Sequence, residues 1–280
     1  MAENNQPSAK LYLEALEWTN KLGEHAIRSA IKELGNLNGA KILDVPCGAG
    51  NHAVWLLEKN PEAHVTGVDI AEAHIAYSRN KLSEAGKAGS CTFSMRDMNR
   101  LEFSDDTFDL VWCCDGLWPG PGEIGCPAEE PYNILKDMVR ITKDKGKIVV
   151  LFWSSQKILP GYPYLEASLN ATKSAIMPSP EVQPELHFMS APAWMHASNM
   201  KNIKVKTFAA DITAPLTGPV REGVAYLFNM FWGRSEQEAA PDILEKYKDI
   251  TNPQSDNYIL KNENYTVFLT YTMFCGEVNK

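Results

Sequence analysis

Three short segments of the sequence place small and acidic residues where apolar runs end. The first is Lys41–Gly50 (KILDVPCGAG), in which a short apolar run leads to Asp44 and then to a turn that contains Gly48 and Gly50. Glycine lets the backbone approach a ligand closely, and a helix that begins after such a turn presents unpaired N–H groups to a carboxylate or phosphate. Taken alone, the glycine pair is equally consistent with an ordinary strand-to-helix turn.

The second and third segments each add a carboxylate at the end of a further apolar run. Val65–Asp69 (VTGVD) ends 19 residues after Gly50, and Asp97 follows the run Cys91–Met95. In nucleotide-binding folds an acid about 20 residues after the glycine turn accepts the ribose hydroxyls. A carboxylate at Asp97 can accept from an adenine amino group. The three segments together predict a nucleoside site at the carboxyl edge of a parallel sheet.

The elements needed to position these groups are also visible in the sequence. Helical spacing of apolar residues predicts a first helix over Ser8–Leu34. Predicted strands and helices then alternate five times, which is the pattern of a parallel, doubly wound sheet. The predicted strands are Lys41–Val45, His64–Val68, Cys91–Met95, Thr107–Cys114 and Gly146–Trp153, and the later helices include Ala71–Ala85 and Glu130–Thr142.

The second half of the chain is less regular. Its patterns predict helices over Tyr164–Ile176, Ala191–Met200, Val220–Trp232 and Glu236–Tyr247, and strands over Ile203–Phe208 and Tyr265–Phe274. The last strand is rich in β-branched and aromatic residues, which favour extended structure.

Composition narrows the classes of function. The chain has 280 residues and a formal net charge of −8, so it lacks the broad positive field that non-specific nucleic-acid binding needs. No signal-peptide pattern or membrane-length apolar run is present, and we expect a cytoplasmic protein. None of the cysteines forms a C-x-x-C pair, so no metal site is expected from them; they are Cys47, Cys91, Cys113, Cys114, Cys126 and Cys275.

With these motifs, the segment 40–153 resembles class I S-adenosylmethionine-dependent methyltransferases, in the broad set that includes the quinone-biosynthesis methyltransferases. The resemblance implies an α/β, Rossmann-like, doubly wound sheet of seven strands, with the last strand antiparallel and inserted beside the fifth. It also implies a helical lid over 1–39 and a methyltransferase domain over 40–280. Within that domain, 155–200 and 211–263 are predicted to be insertions on the substrate side.

The resemblance assigns cofactor-binding roles residue by residue. Asp69 matches the acid that binds the ribose, and Ile70 would pack on the adenine. Asp97 matches the acceptor of the adenine amino group, with Met98 beside the ring, and Cys114 lies where members contact the cofactor's amino group. The turn that faces the methionine part of the cofactor corresponds to Asp44, Pro46, Cys47, Gly48 and Gly50.

The glycine turn differs at one position from the methyltransferase motif and at another from the nicotinamide-binding motif. The family usually has glycine where this chain has Pro46, but that position supplies a backbone carbonyl, which proline keeps. The third glycine of a nicotinamide-binding G-x-G-x-x-G is absent, since Ala53 occupies its place. A suitably placed Tyr-x-x-x-Lys is also lacking, and both observations argue against an oxidoreductase.

Candidates for catalysis and acceptor binding are less specific. Asp115 follows the fourth predicted strand and orients either the acceptor or the cofactor ammonium, with capping of the following turn as the alternative. His187 and His196 could each act as a general base, although a hydrogen-bonded surface histidine is the more common outcome. Acceptor-binding candidates with core packing as the alternative are Tyr12, Trp18 and Trp118. The aromatic and methionine residues of the last insertion either build an apolar cap or pack on the sheet: Tyr226, Phe228, Met230, Phe231 and Trp232.

The sequence therefore predicts an enzyme that transfers a methyl group from S-adenosylmethionine to a small-molecule acceptor, through oxygen, nitrogen, carbon or sulfur. The alternative is a catalytically inactive, nucleoside-binding subunit with a regulatory or scaffold role. No nucleic acid or membrane partner is expected, and a homodimer is one possible assembly.

Overall fold

A computed structural model describes residues 9–118, 130–172 and 183–280. The strands in this part of the chain are β1 (Lys41–Asp44), β2 (His64–Asp69), β3 (Cys91–Met95), β4 (Phe108–Cys114), β5 (Thr142–Lys157), β6 (Lys201–Thr213) and β7 (Thr266–Glu277). The helices are α1 (Ala9–Glu33), α2 (Asn51–Lys59), α3 (Glu72–Glu84), α4 (Pro131–Ile141), α5 (Pro163–Asn170), α6 (Ala191–Ala197), α7 (Gly218–Trp232) and α8 (Pro241–Thr251). Among these helices, none is long and apolar enough to cross a membrane.

All seven strands form one sheet in the order β3-β2-β1-β4-β5-β7-β6. The first five strands pair in parallel, whereas β7 lies between β5 and β6 and is antiparallel to both. The predicted seven-stranded, doubly wound fold with an antiparallel last strand beside the fifth is therefore confirmed. The chain order reverses between β1 and β4, which is the point where ligands bind in open sheets of this kind.

Alternation along the central strands divides the buried side chains between two layers. Ile42 and Leu110 belong to one apolar cluster, and their strand neighbours Leu43 and Val111 belong to the other. Helices α1, α2, α3, α5, α7 and α8 contribute to the first cluster, and α4 and α6 contribute to the second. Both faces of the sheet are thus covered, as parallel sheets require.

Some elements differ in length from their sequence patterns. β5 and β6 extend beyond their predicted apolar cores, because backbone pairing with β4 and β7 continues where the side chains are polar. The helix expected from Glu236 begins only at Pro241, since proline fits the first turn of a helix and disrupts its interior. The last four residues of the helix predicted over Tyr164–Ile176 lie outside the described residues, and so does Cys126.

The first helix is part of the core and packs on β6, β7, α2 and α7. Its buried face includes Ala26, Ile27 and Ala30, which are fully inaccessible to solvent. Nearer its start, Leu16 contacts the Gly48 turn and Gly23 abuts the ring of Tyr271. The same helix therefore builds the core and covers the carboxyl edge of the sheet.

The predicted cap residues of α7 are largely core residues. Phe228, Phe231 and Trp232 are buried in the first cluster, and only Met230 is notably exposed. Tyr226 is partly buried and its ring lies 5.4 Å from that of Trp18 on α1. Packing on the sheet, rather than a separate apolar cap, accounts for most of this segment.

We predict that Ile27→Ala destabilises the protein by about 2–5 kcal/mol, because it leaves a cavity in a fully buried position. The matched control Lys21→Ala, on the exposed side of the same helix, should cost less than about 1 kcal/mol. Urea unfolding monitored by circular dichroism measures both. A small effect of Ile27→Ala would show that the helix contributes little to the core and is separable as a lid.

Candidate active site

The glycine turn after β1 has a specific backbone shape. The Val45–Pro46 peptide is cis, and Gly48 and Gly50 have positive φ angles of 48° and 76°. The N–H of Cys47 donates to the carbonyl of Val68 at 2.8 Å, so the turn is anchored to β2. The Cys47 side chain is itself buried, which leaves the backbone of the turn as the part that can face a ligand.

A serine on α3 explains why the second glycine is needed. A Cβ atom at Gly50 would lie 2.8 Å from the Ser78 hydroxyl oxygen and 3.2 Å from the Ser78 Cα. The same hydroxyl donates to the carbonyl of Gly48 at 2.9 Å. Ser78 thus clamps the turn from behind, a role that no sequence spacing indicated.

Gly50→Ala should destabilise the protein through two costs. The left-handed backbone costs about 1–2 kcal/mol for a residue with a Cβ, and overpacking against Ser78 costs about 1–3 kcal/mol more. Gly35→Ala is the matched control, because its φ is +83° with no atom within 4 Å of the added Cβ. Equal losses of unfolding free energy in urea for the two variants would contradict the clamp by Ser78.

Asp44 ends β1 in a site with no counter-charge. Its side chain is fully buried, and neither carboxylate oxygen has a hydrogen-bond partner among the described residues. Burial, and secondarily the nearby Asp69, raises the pKa of Asp44 well above its usual value. A buried unpaired carboxylate is costly, so this position fits a ligand or a bound water that supplies donors.

The raised pKa of Asp44 predicts a specific dependence of stability on pH. A carboxyl group with a higher pKa in the folded state destabilises that state as the pH rises above the unfolded value near 4. Near pH 4, Asp44→Asn should therefore have the same free energy of unfolding as the unaltered, ligand-free protein. As the pH rises toward 8, the variant should become increasingly more stable than the unaltered protein. Urea unfolding across this range tests the prediction, and parallel curves for the two proteins would refute it.

Asp69, at the end of β2, is held by three donors. Its Oδ2 accepts from the N–H of Gly48 at 2.9 Å, which links the carboxylate to the glycine turn. Its Oδ1 accepts from the N–H of Ala71 at 2.9 Å and lies 3.0 Å from Nδ1 of His74. The His74 ring in turn stacks on Tyr12 of α1, with ring centroids 5.4 Å apart. Sequence reasoning missed His74, although its helical offset from Asp69 was visible.

The adenine side of the predicted site is only partly as expected. Asp97 is exposed, and its Oδ1 accepts from the N–H and side chain of Asn99 at 2.9 and 2.8 Å. Ile70 is 60% exposed, so an apolar surface is available beside Asp69. Met98, in contrast, is buried in the second cluster, and the exposed methionine at this edge is Met95.

Asp115 lies at the end of β4 with an unusual backbone and a fixed side chain. Its φ is 51°, and its Oδ1 accepts from the N–H of Trp153 at 2.7 Å. The thiol of Cys114 lies 3.6 Å from Oδ2, and the Tyr271 hydroxyl also donates to the carboxylate. Although the residue is open to solvent, the surrounding protein raises its pKa to about 6. Strained backbone and a perturbed carboxyl group together are typical of functional sites.

The two histidines are not brought together with Asp115. His187 contacts Phe188, which stacks on Phe152, and its Nδ1 accepts from the N–H of Met189 at 3.2 Å. His187 therefore lies near the carboxyl edge on the opposite face from α1. His196 is exposed near the end of α6, which leads to β6 at the amino end of β5, so the structure gives no support to a catalytic role for it.

The two tryptophan candidates have packing roles in the described structure. Trp18 is partly buried between α1 and α7, against Tyr226 and Gly223. Trp118 is buried in the second cluster, and its indole nitrogen has no partner within the described part of the chain. Trp118 is the last residue described before the gap at 119–129, so its neighbours on that side are outside the structure.

Comparison with known proteins shows which family the central segment resembles. Residues 42–146 match the family described as a methyltransferase domain. A cycloartenol-C-24-methyltransferase of Oryza sativa is 31% identical over 44% of this chain and 38% of its own length. A demethylmenaquinone methyltransferase of Listeria monocytogenes is 30% identical over 50% of this chain and 54% of its own length. The chain thus spans about half, or less, of these relatives.

The architecture agrees with a solved structure over nearly the whole chain. The YcgJ protein of Bacillus subtilis superimposes with a TM-score of 0.56 at 15% identity, covering 92% of this chain and 99% of that one. At this identity the likeness establishes the fold alone. Together with the family match, it confirms the resemblance to class I S-adenosylmethionine-dependent methyltransferases.

Proposed function

We propose that this chain transfers a methyl group from S-adenosylmethionine to a small-molecule acceptor. The observation that carries the proposal is Asp44, a buried carboxylate without a protein partner that directly precedes the glycine turn. Asp69 and Asp97 follow the next two strands of the same edge. The curated relatives that match the segment are named as methyltransferases.

The residues at this edge fit the cofactor part by part. Gly48 and Gly50 leave the backbone of the turn open to a ligand, and Asp44 would accept from its ammonium group. Among the described residues, Asp69 Oδ2 accepts one hydrogen bond, from the N–H of Gly48, and so keeps a lone pair for a ribose hydroxyl. Ile70 offers an apolar surface to the adenine and Asp97 an acceptor for its amino group. When bound, the cofactor supplies an electrophilic methyl group, and the protein contributes proximity and orientation.

Asp69→Ala should weaken binding of S-adenosylhomocysteine on the order of 100-fold, because charge-assisted hydrogen bonds to the ligand are lost. Isothermal titration calorimetry measures the change, with Asp242→Ala, an exposed aspartate on α8, as the control. Unchanged affinity in Asp69→Ala would remove this residue from the cofactor site. Absence of binding by the unaltered protein would contradict the proposed function as a whole.

The proposal also covers the class of acceptor, the location of the protein in the cell and its oligomeric state. The names of the two relatives refer to a sterol and a quinone. For this chain, these names support a small, partly apolar acceptor. Transfer of a labelled methyl group to candidate acceptors distinguishes an enzyme from a nucleoside-binding subunit without turnover. A cytoplasmic location and a homodimer stay predictions, which fractionation and light scattering would test.

A further inference from the structure

The crevice between β1 and β4 has two walls of different composition. The glycine turn after β1 forms one wall, and Asp115 after β4 stands on the other. A Cβ at Gly116 would clash with the Pro46 ring, so the two loops meet in direct contact beside Asp115. The Asp115 carboxylate is turned toward β5, where its Oδ1 accepts from the N–H of Trp153, and this is the side left for the acceptor if the first wall binds the cofactor.

All the groups that hold the Asp115 carboxylate are neutral. They are the backbone N–H of Trp153, the Tyr271 hydroxyl and the Cys114 thiol. Within residues 9–118, 130–172 and 183–280, no lysine, arginine or histidine forms an ion pair with it. The protein therefore fixes the position of this carboxylate without neutralising it.

The charge of the cofactor does not balance the crevice. S-adenosylmethionine carries a sulfonium, an ammonium and a carboxylate, and hence a single net positive charge. Asp44 and Asp115 present two carboxylates to the crevice, both without a cationic partner in the described structure. Asp69 and Asp97 add further carboxylates at the same edge, so the single positive charge of the cofactor leaves Asp115 without a cationic partner, which a cationic acceptor would supply.

Two of the residues that hold Asp115 are aromatic. Trp153 donates its backbone N–H to the carboxylate, and the Tyr271 side chain is a second donor. The ring of Trp153 lies 5.7 Å from that of Tyr271 and 6.1 Å from that of Phe231 on α7. Tyr271 and Phe231 are buried, so among these three rings the half-buried Trp153 is the one that can offer a face to a cation near the carboxylate.

We propose that Asp115, with the half-buried ring of Trp153 on the adjacent strand β5, forms a subsite for a positively charged nitrogen of the acceptor. This inference rests on the proposed function, because it assumes that the cofactor occupies the opposite wall. It assigns the acceptor to the amines. Tyr271 is a positioning residue, which holds the carboxylate in place through its hydroxyl.

Few groups around Asp115 can titrate with it. The thiols of Cys113 and Cys114 and the hydroxyl of Tyr271 have raised pKa values, so they stay neutral between pH 5 and 8. Across the crevice, Asp44 also titrates, but it is common to all the variants below. The hydrogen bond from Tyr271 lowers the pKa of Asp115, against the larger effect of burial, so its removal should raise that pKa.

The test uses two pairs of probes, each a cation and its neutral counterpart: choline with 3,3-dimethylbutan-1-ol, and 2-phenylethylammonium with 2-phenylethanol. Each is titrated calorimetrically into the protein saturated with S-adenosylhomocysteine. We expect the cation of at least one pair to bind about tenfold more tightly than its counterpart, or better. Choline binding should weaken as the pH falls through about 6, where Asp115 becomes protonated.

Three variants define the outcomes. Asp115→Asn should abolish the preference for the cation while S-adenosylhomocysteine still binds. Tyr271→Phe, which keeps the buried ring, should reduce the preference and move the pH midpoint of choline binding upward. Asp211→Asn, an exposed aspartate on β6, should change neither. The proposal is overturned if neither pair shows a preference, or if Asp115→Asn keeps it. Failure of S-adenosylhomocysteine to bind the unaltered protein would instead contradict the proposed function.

Discussion

Parallel pairing of the central strands is the constraint on which the rest of this structure depends. β1 pairs with β2 on one side and with β4 on the other, so Asp44, Asp69 and Asp115 reach the same edge of the sheet. Like charges at one edge repel one another and oppose folding, and the protein stabilises these three carboxylates to very different extents. Asp69 has three donors, Asp115 has neutral donors only, and Asp44 has none among the described residues.

The three carboxylates therefore differ in how far the protein itself stabilises them. Asp69 is tied to the glycine turn and to His74, so it helps to shape the site even before a ligand arrives. Asp44 and Asp115 instead have raised pKa values, because the surrounding protein disfavours their charged forms and supplies no cation that offsets this effect. Under the proposed function, a cationic ligand would recover that cost, so that binding energy and specificity come from the same groups.

The sequence predicted those parts of the site that follow from the spacing of residues along one segment of the chain. Asp44, Gly48, Gly50 and Asp69 could be placed together because strand ends of a parallel sheet share an edge. Ser78 and Tyr271 could not, because they reach the site from a helix face and an antiparallel strand whose register only folding defines. His196 was predicted from residue type alone, and residue type carries no information about which end of the sheet a side chain occupies.

The first helix links stability to the site. Its later turns bury Ile27 and Ala30 in the core, and its earlier turns reach both walls of the crevice, since Leu16 contacts the Gly48 turn and Gly23 lies against Tyr271. A side chain added at Gly23 would press on the ring that positions Asp115, with 2.7 Å between its Cβ and the Tyr271 ring. Changes on this face of the helix therefore act on folding and on the acceptor side together. The shape of the crevice is set as much by core packing as by the loops that line it.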